Sequence, residues 1–109
     1  MAATRREVRH APDFLILANV HFPVGGSADG RPSFELFARG PLEAASELFS
    51  RSFESLYEIA PGIRALDTLH TPFFPPITFY AVLVDAYIEI ISLSVDDSYW
   101  ELLDGDPEF

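Results

Sequence analysis

Apolar residues recur along this chain in three patterns, each predicting a different element. Phe14-Leu15-Ile16-Leu17-Ala18-Asn19-Val20-His21-Phe22 is a nearly continuous apolar run between Pro12-Asp13 and Pro23, and it reads as a strand buried on at least one side. Residues 1–13 ahead of it read as a polar lead-in ending in a turn at Pro12-Asp13. From Gly40-Pro41 the period changes. Leu42, Ala45, Phe49, Phe53, Leu56 and Ala60 recur at three- and four-residue steps, with Glu43, Glu47, Arg51, Glu54 and Glu58 mostly between them. That spacing predicts one amphipathic helix with Pro41 at its first position and Pro61-Gly62 as its stop. A short helical turn, Ser33 to Arg39, precedes it, with Phe34 and Phe37 facing inward.

The third pattern is a pair of strongly apolar runs, Ile77 to Val84 and Tyr87 to Leu93, separated only by Asp85-Ala86. Two such runs around a two-residue turn predict an antiparallel hairpin, with Glu89 marking its exposed position. Ile63 to Leu69 predicts a further strand. His70 to Pro76 carries three prolines, which remove backbone donors and fix φ, so no regular element is expected there. Ser98-Tyr99-Trp100-Glu101 has the form of a capping box and predicts a short C-terminal helix through Leu103, followed by an acidic tail over 104–109. These elements make residues 1–109 a single α+β domain: a small, mostly antiparallel β-sheet with one principal α-helix packed on it and a short C-terminal helix.

Composition supports a packed core. The chain has 109 residues, about half of them apolar, including ten Phe, and no cysteine. Disulfides, zinc–thiolate sites and thiol catalysis are thereby excluded, which suits a cytoplasmic protein. The apolar stretches are far short of the roughly 20 residues that span a bilayer, so no membrane association is expected. The loop Gly25 to Pro32 lacks the Lys-Ser/Thr ending of a phosphate-binding loop and reads as a solvated connector. His10, His21 and His70 stand at no ligand spacing, and Asp104-Gly105-Asp106 supplies only a fragment of a calcium loop, so neither a metal nor another cofactor is expected.

Charge changes the picture most. From Ala65 onward there are nine Asp and Glu residues and no Lys or Arg, whereas the first 64 residues hold all seven arginines against eight acids. The second half thus carries −9 of the formal −10. A polyanion would be repelled, so the charge argues against direct nucleic-acid binding and for a basic protein partner, or for a repulsive surface that only confers solubility. Two groups of residues are candidates for that contact. Asp96, Asp97, Glu101, Asp104 and Asp106 form the densest acidic cluster, and Phe73-Phe74 between prolines forms an apolar loop. No residue is assigned a catalytic role. Tyr80, Tyr87, Tyr99 and Trp100 read as core aromatics by default.

The order helix, strand, Pro-rich loop, β-hairpin and capped helix resembles the RelE/ParE superfamily of small bacterial toxins over roughly residues 42–103. The resemblance lies in Phe79-Tyr80-Ala81-Val82-Leu83-Val84-Asp85-Ala86-Tyr87-Ile88-Glu89-Ile90-Ile91-Ser92-Leu93, in Asp97-Ser98-Tyr99-Trp100, and in Ile59-Ala60-Pro61-Gly62-Ile63-Arg64. It implies pairing with an antitoxin or a cellular target. Ser94-Val95-Asp96-Asp97 stands where nucleases of that family carry the cations that hold the scissile phosphate, so the resemblance implies a non-catalytic protein-binding member. The alternative expectation is an acidic inhibitor, like anti-CRISPR proteins and many antitoxins, that blocks a basic nucleic-acid-binding surface. The oligomeric state is left open.

Overall fold

The computed structural model describes residues 5–28, 30–68 and 74–96. Its elements run β1 (Glu7–His10), α1 (Pro12–His21), α2 (Phe34–Phe37), a π-helical turn (Ala38–Leu42), α3 (Glu43–Ser52), a 3-10 turn (Phe53–Ser55), β2 (Tyr57–Ala60), β3 (Ile63–Thr68), β4 (Ile77–Val84) and β5 (Tyr87–Val95). The five strands form one sheet in the order β1-β5-β4-β3-β2. Only the β1–β5 pair is parallel; the other three are antiparallel. The protein is therefore α+β, with a mixed sheet and a long helical segment from Phe34 to Ser55 packed on it. The expected C-terminal helix and acidic tail lie outside the described residues.

Three sequence expectations are corrected. The run Phe14–Phe22 is mainly helix α1, not a strand. Pro12 occupies the start of the helix, where its missing N–H is not needed, and Asp13 lies in the first turn. Phe14, Ala18 and Phe22 fall at four-residue steps and are fully buried, while Ile16 and Val20 point to solvent. A short apolar run does not distinguish the two periods by hydrophobicity alone.

The second correction concerns residues 1–13. Instead of serving only as a lead-in, Glu7–His10 forms the parallel edge strand β1, in register with Tyr87 to Ile90 of β5. An edge strand tolerates charge on its outer positions, which is why this one reads as polar.

The third correction shortens and resets the principal helix. Helix begins at Phe34, capped by the Ser33 hydroxyl accepting the Leu36 N–H. Pro41 lies inside it rather than at its first position. A proline ring collides with the carbonyl four residues back in a regular α-helix, and the chain passes this point in a wider π-helical turn. Helix then ends at Ser55, so Leu56 and Ala60 do not continue its apolar face. The Arg64 guanidinium donates from Nη1 to the carbonyls of Glu54 (2.9 Å) and Leu56 (2.8 Å), satisfying acceptors that helix termination leaves open. Pro61-Gly62 makes the β2–β3 turn instead of merely stopping a helix, with Gly62 at φ +82° and its N–H donating to Glu58 Oε2 at 2.8 Å.

The hairpin is as expected, with Asp85 in the left-handed region at φ 53° between β4 and β5. β5 runs two residues further than expected and carries a bulge: Tyr80 pairs with Ser92 but Ala81 with Ile90, leaving Ile91 as the extra residue. The bulge moves the core-facing positions of β5 from Ile88 and Ile90 to Leu93 and Val95.

The core lies between one face of the sheet and the helices. A run of phenylalanine rings crosses it. Phe14 meets Phe79 (6.3 Å between centroids), Phe79 stacks on Phe37 (6.0 Å), Phe37 stacks on Phe22 (4.7 Å), and Phe22 meets Phe74 edge-on (5.8 Å). Each fully buried ring contributes about 1.5–3 kcal/mol in transfer free energy.

Candidate functional site

The cross-strand register divides the sheet residues cleanly between two faces. Leu66, Phe79 and Leu93 share one row and are buried against the helices. The opposite face carries three rows: Asp67–Thr78–Ser94, then Tyr57–Ala65–Tyr80–Ser92, then Ile63–Val82–Glu89–Arg9. Tyr87, paired with Val84 and Glu7, extends it toward the hairpin turn. No residue of these rows belongs to the buried core, and Tyr57 is 75% exposed. Three tyrosines thus sit on this face among acidic, small and aliphatic residues, with Arg9 in the row beside Glu89.

Electrostatics on this face follow from two local contacts. Arg9 binds Glu7 through two hydrogen bonds, Nε at 2.9 Å and Nη2 at 3.2 Å, and its guanidinium carbon lies 3.9 Å from the centroid of the Tyr87 ring. The Arg9 hydrogen bonds hold the Glu7 carboxyl below the usual carboxylate range. Asp67 accepts the Thr78 hydroxyl at 2.7 Å through Oδ1.

Other shifted carboxylates belong to surface ion pairs rather than to a reaction centre. Arg5 lowers Glu47 and Arg6 lowers Glu54 chiefly through direct hydrogen bonds, at 2.8 Å and 2.6 Å. Glu35 is lowered by its own backbone N–H and by that of Gly25. That Gly25 contact also shows how the glycine loop is used. Its N–H groups are engaged internally, Gly26 to the Pro23 carbonyl, Gly30 to the Ser27 carbonyl and Arg31 to the Ser27 hydroxyl. Among its described residues the loop is tied partly to itself and, through Gly25, to Glu35 of α2.

Of the sequence-derived candidates, Asp96 lies immediately beyond β5, exposed, with its N–H donating to the Pro76 carbonyl at 3.1 Å. It stands at the same end of the sheet as Asp67, since Val95 pairs with Ile77 and Ile77 with Thr68. Asp97, Glu101, Asp104 and Asp106 lie outside the described residues, as does Phe73. Phe74 is half-buried, and its ring packs against Phe22 and the core. Among the described residues, no three His, Asp or Glu side chains are grouped to hold a metal ion, and no helix is long and apolar enough to cross a membrane.

Sequence reasoning missed the tyrosine face. Tyr80 and Tyr87 were expected in the core, yet both are half-buried on the open side, and Glu89, the expected exposed marker, is half-buried beside Arg9. The signal was alternation within β4, where Ile77, Phe79 and Ala81 are buried and Thr78, Tyr80 and Val82 are not. It is faint because both sets are largely apolar.

The chain matches no protein-family model, no curated protein and no solved structure. Its functional reading therefore rests on its own surface.

Proposed function

We propose that this chain is a non-catalytic protein-binding domain whose partner is a basic protein, in the manner that the RelE/ParE resemblance implies for a toxin–antitoxin component. One observation carries the reading: five of the arginines are held by acids of the first half or by backbone carbonyls, while Asp67, Asp85 and Glu89 of the second half take part in no ion pair among the described residues. Arg5, Arg6, Arg9 and Arg51 pair with Glu47, Glu54 and Glu7, and Arg64 is held by backbone carbonyls. Among the described residues, no arginine pairs with Asp67, Asp85 or Glu89. A surface of this kind attracts a positively charged partner and discourages a like-charged one.

The second reading, an acidic inhibitor that covers a basic nucleic-acid-binding groove, is favoured by the position of Asp67 and Asp96 at one end of the sheet. From that end the chain continues toward Asp97, Glu101, Asp104 and Asp106.

Expression in a bacterial host, with and without the neighbouring reading frame, tests the choice. Growth arrest relieved by that frame supports the toxin–antitoxin reading. Absence of arrest, with target binding that weakens steeply with salt and on charge reversal at Asp96 and Asp97, supports the inhibitor. No arrest together with salt-insensitive binding refutes a basic partner altogether.

A further inference from the structure

We propose that the open face of the sheet holds a docking position for an arginine side chain of the partner, formed by Tyr57, Ala65, Tyr80 and Asp67. The inference deepens the reading above and rests on it. Tyr57 and Tyr80 are the cross-strand neighbours of Ala65 on either side, so two aromatic rings flank a residue with only a methyl group. With strands about 4.8 Å apart, their backbones stand roughly 10 Å from one another. A planar group in van der Waals contact with both rings needs them roughly 7–8 Å apart, so docking requires the two side chains to lean toward one another by roughly 2–3 Å. Asp67 lies one position further along the same face of β3, next to the Ala65 row. Its Oδ1 is fixed by the Thr78 hydroxyl at 2.7 Å, which leaves Oδ2 as an acceptor.

These are the two groups a guanidinium recognises: an aromatic face for its plane and a carboxylate for its donor fork. The protein already contains one filled instance of this chemistry on the same face, where Arg9 lies over Tyr87 while bonding Glu7. At the Tyr57–Tyr80 position the chain supplies the rings and the acid but no arginine among the described residues. The occupant is therefore a segment of a basic partner rather than a second copy of this chain, whose formal charge of −10 opposes self-association.

The test uses the 109-residue chain and a fluorescently labelled peptide of alternating Arg and Ser, with a Lys–Ser peptide of equal length and charge as comparison. Binding is read by anisotropy at low ionic strength. Three variants are compared: Asp67→Asn, which retains an acceptor for Thr78, Tyr80→Ala, and a combined Asp97→Asn, Glu101→Gln, Asp104→Asn, Asp106→Asn variant, each checked for folding by circular dichroism.

The expected result is tighter binding of the arginine peptide than of the lysine peptide. A loss of fivefold or more is expected in both Asp67→Asn and Tyr80→Ala, with at most a twofold loss in the combined variant. Equal affinity for the two peptides overturns the docking position. Losses confined to the combined variant also overturn it but leave the basic-partner reading standing. Absence of binding by either peptide overturns both.

Discussion

Replacing Phe79 by alanine, and separately replacing its neighbour Tyr80, tests the assignment of the two sheet faces. Phe79 is fully buried, lies between Leu66 and Leu93 in its row, and touches both Phe14 and Phe37. It therefore joins α1 and α2 to the sheet. Phe-to-Ala truncation in a packed core costs about 3–5 kcal/mol, part of it from lost aromatic pairing. A domain of this size holds roughly 5–15 kcal/mol in total, so the variant loses a large share. With an unfolding entropy of about 2.1 cal/mol/K per residue, a 4 kcal/mol loss lowers Tm by roughly 15–20 °C.

Tyr80 is one residue away but faces the other side, flanked only by Ala65 and Ser92 in its row. Its truncation to alanine is expected to cost less than about 1.5 kcal/mol, the range for half-exposed cross-strand contacts. The assay is urea and thermal unfolding followed by circular dichroism on both variants. A Tyr80→Ala loss equal to that of Phe79→Ala means that the open face is covered and refutes the reasoning. A Phe79→Ala loss below about 1.5 kcal/mol means that the ring contacts do not join helices to sheet.

Two further predictions follow from particular contacts. Arg64→Met retains the apolar stem but leaves the Glu54 and Leu56 carbonyls without their charged donor; a loss of about 1–3 kcal/mol in urea unfolding is expected, and an unchanged midpoint would contradict the capping role. Glu47 is held below the ordinary carboxylate value of 4.5 first by its hydrogen bond from Arg5, with the Arg5 and Arg51 charges acting in the same direction. Its stabilising contribution is therefore present above about pH 4.5 and disappears as pH falls through the lower folded value. The stability gap between wild type and Glu47→Gln should close on acidification and shrink with added salt, whereas a gap unchanged down to pH 3 would contradict the ion-pair assignment.

How much of this was legible in the sequence varies by element. The β4–β5 hairpin was readable because two apolar runs flank a two-residue turn, and Asp85 is a residue type that tolerates positive φ. The helical turn from Ser33 was readable as a separate piece, but its cap and its continuity with the principal helix were not. Helix α1 was misread because its apolar run hides the four-residue repeat of Phe14, Ala18 and Phe22; the informative signal was Pro12-Asp13 at its head. β1 was missed because an edge strand can be polar, and its pairing with β5 links residues about 80 apart in sequence.

The principal helix was extended too far because Leu56 and Ala60 continue the spacing numerically. The extended backbone at Leu56, the strand from Tyr57 and the Arg64 bonds to the Glu54 and Leu56 carbonyls mark where the chain has left the helix. The candidate surface was legible as charge and not as geometry. The sequence makes the second half acidic, but the row that sets Tyr57, Ala65 and Tyr80 side by side arises from the registers of two separate strand pairs.

We propose above all that the sheet face opposite the described helices receives a basic partner. The most direct measurement is titration of the uniformly 15N-labelled 109-residue chain with the arginine–serine peptide at low salt, following backbone amide shifts. The account predicts the largest shifts at Tyr57, Ala65, Asp67, Thr78 and Tyr80, declining as salt is raised, with α1 and α3 unmoved. Largest shifts in the helices or beyond Asp96, or no shifts at any position, would contradict it.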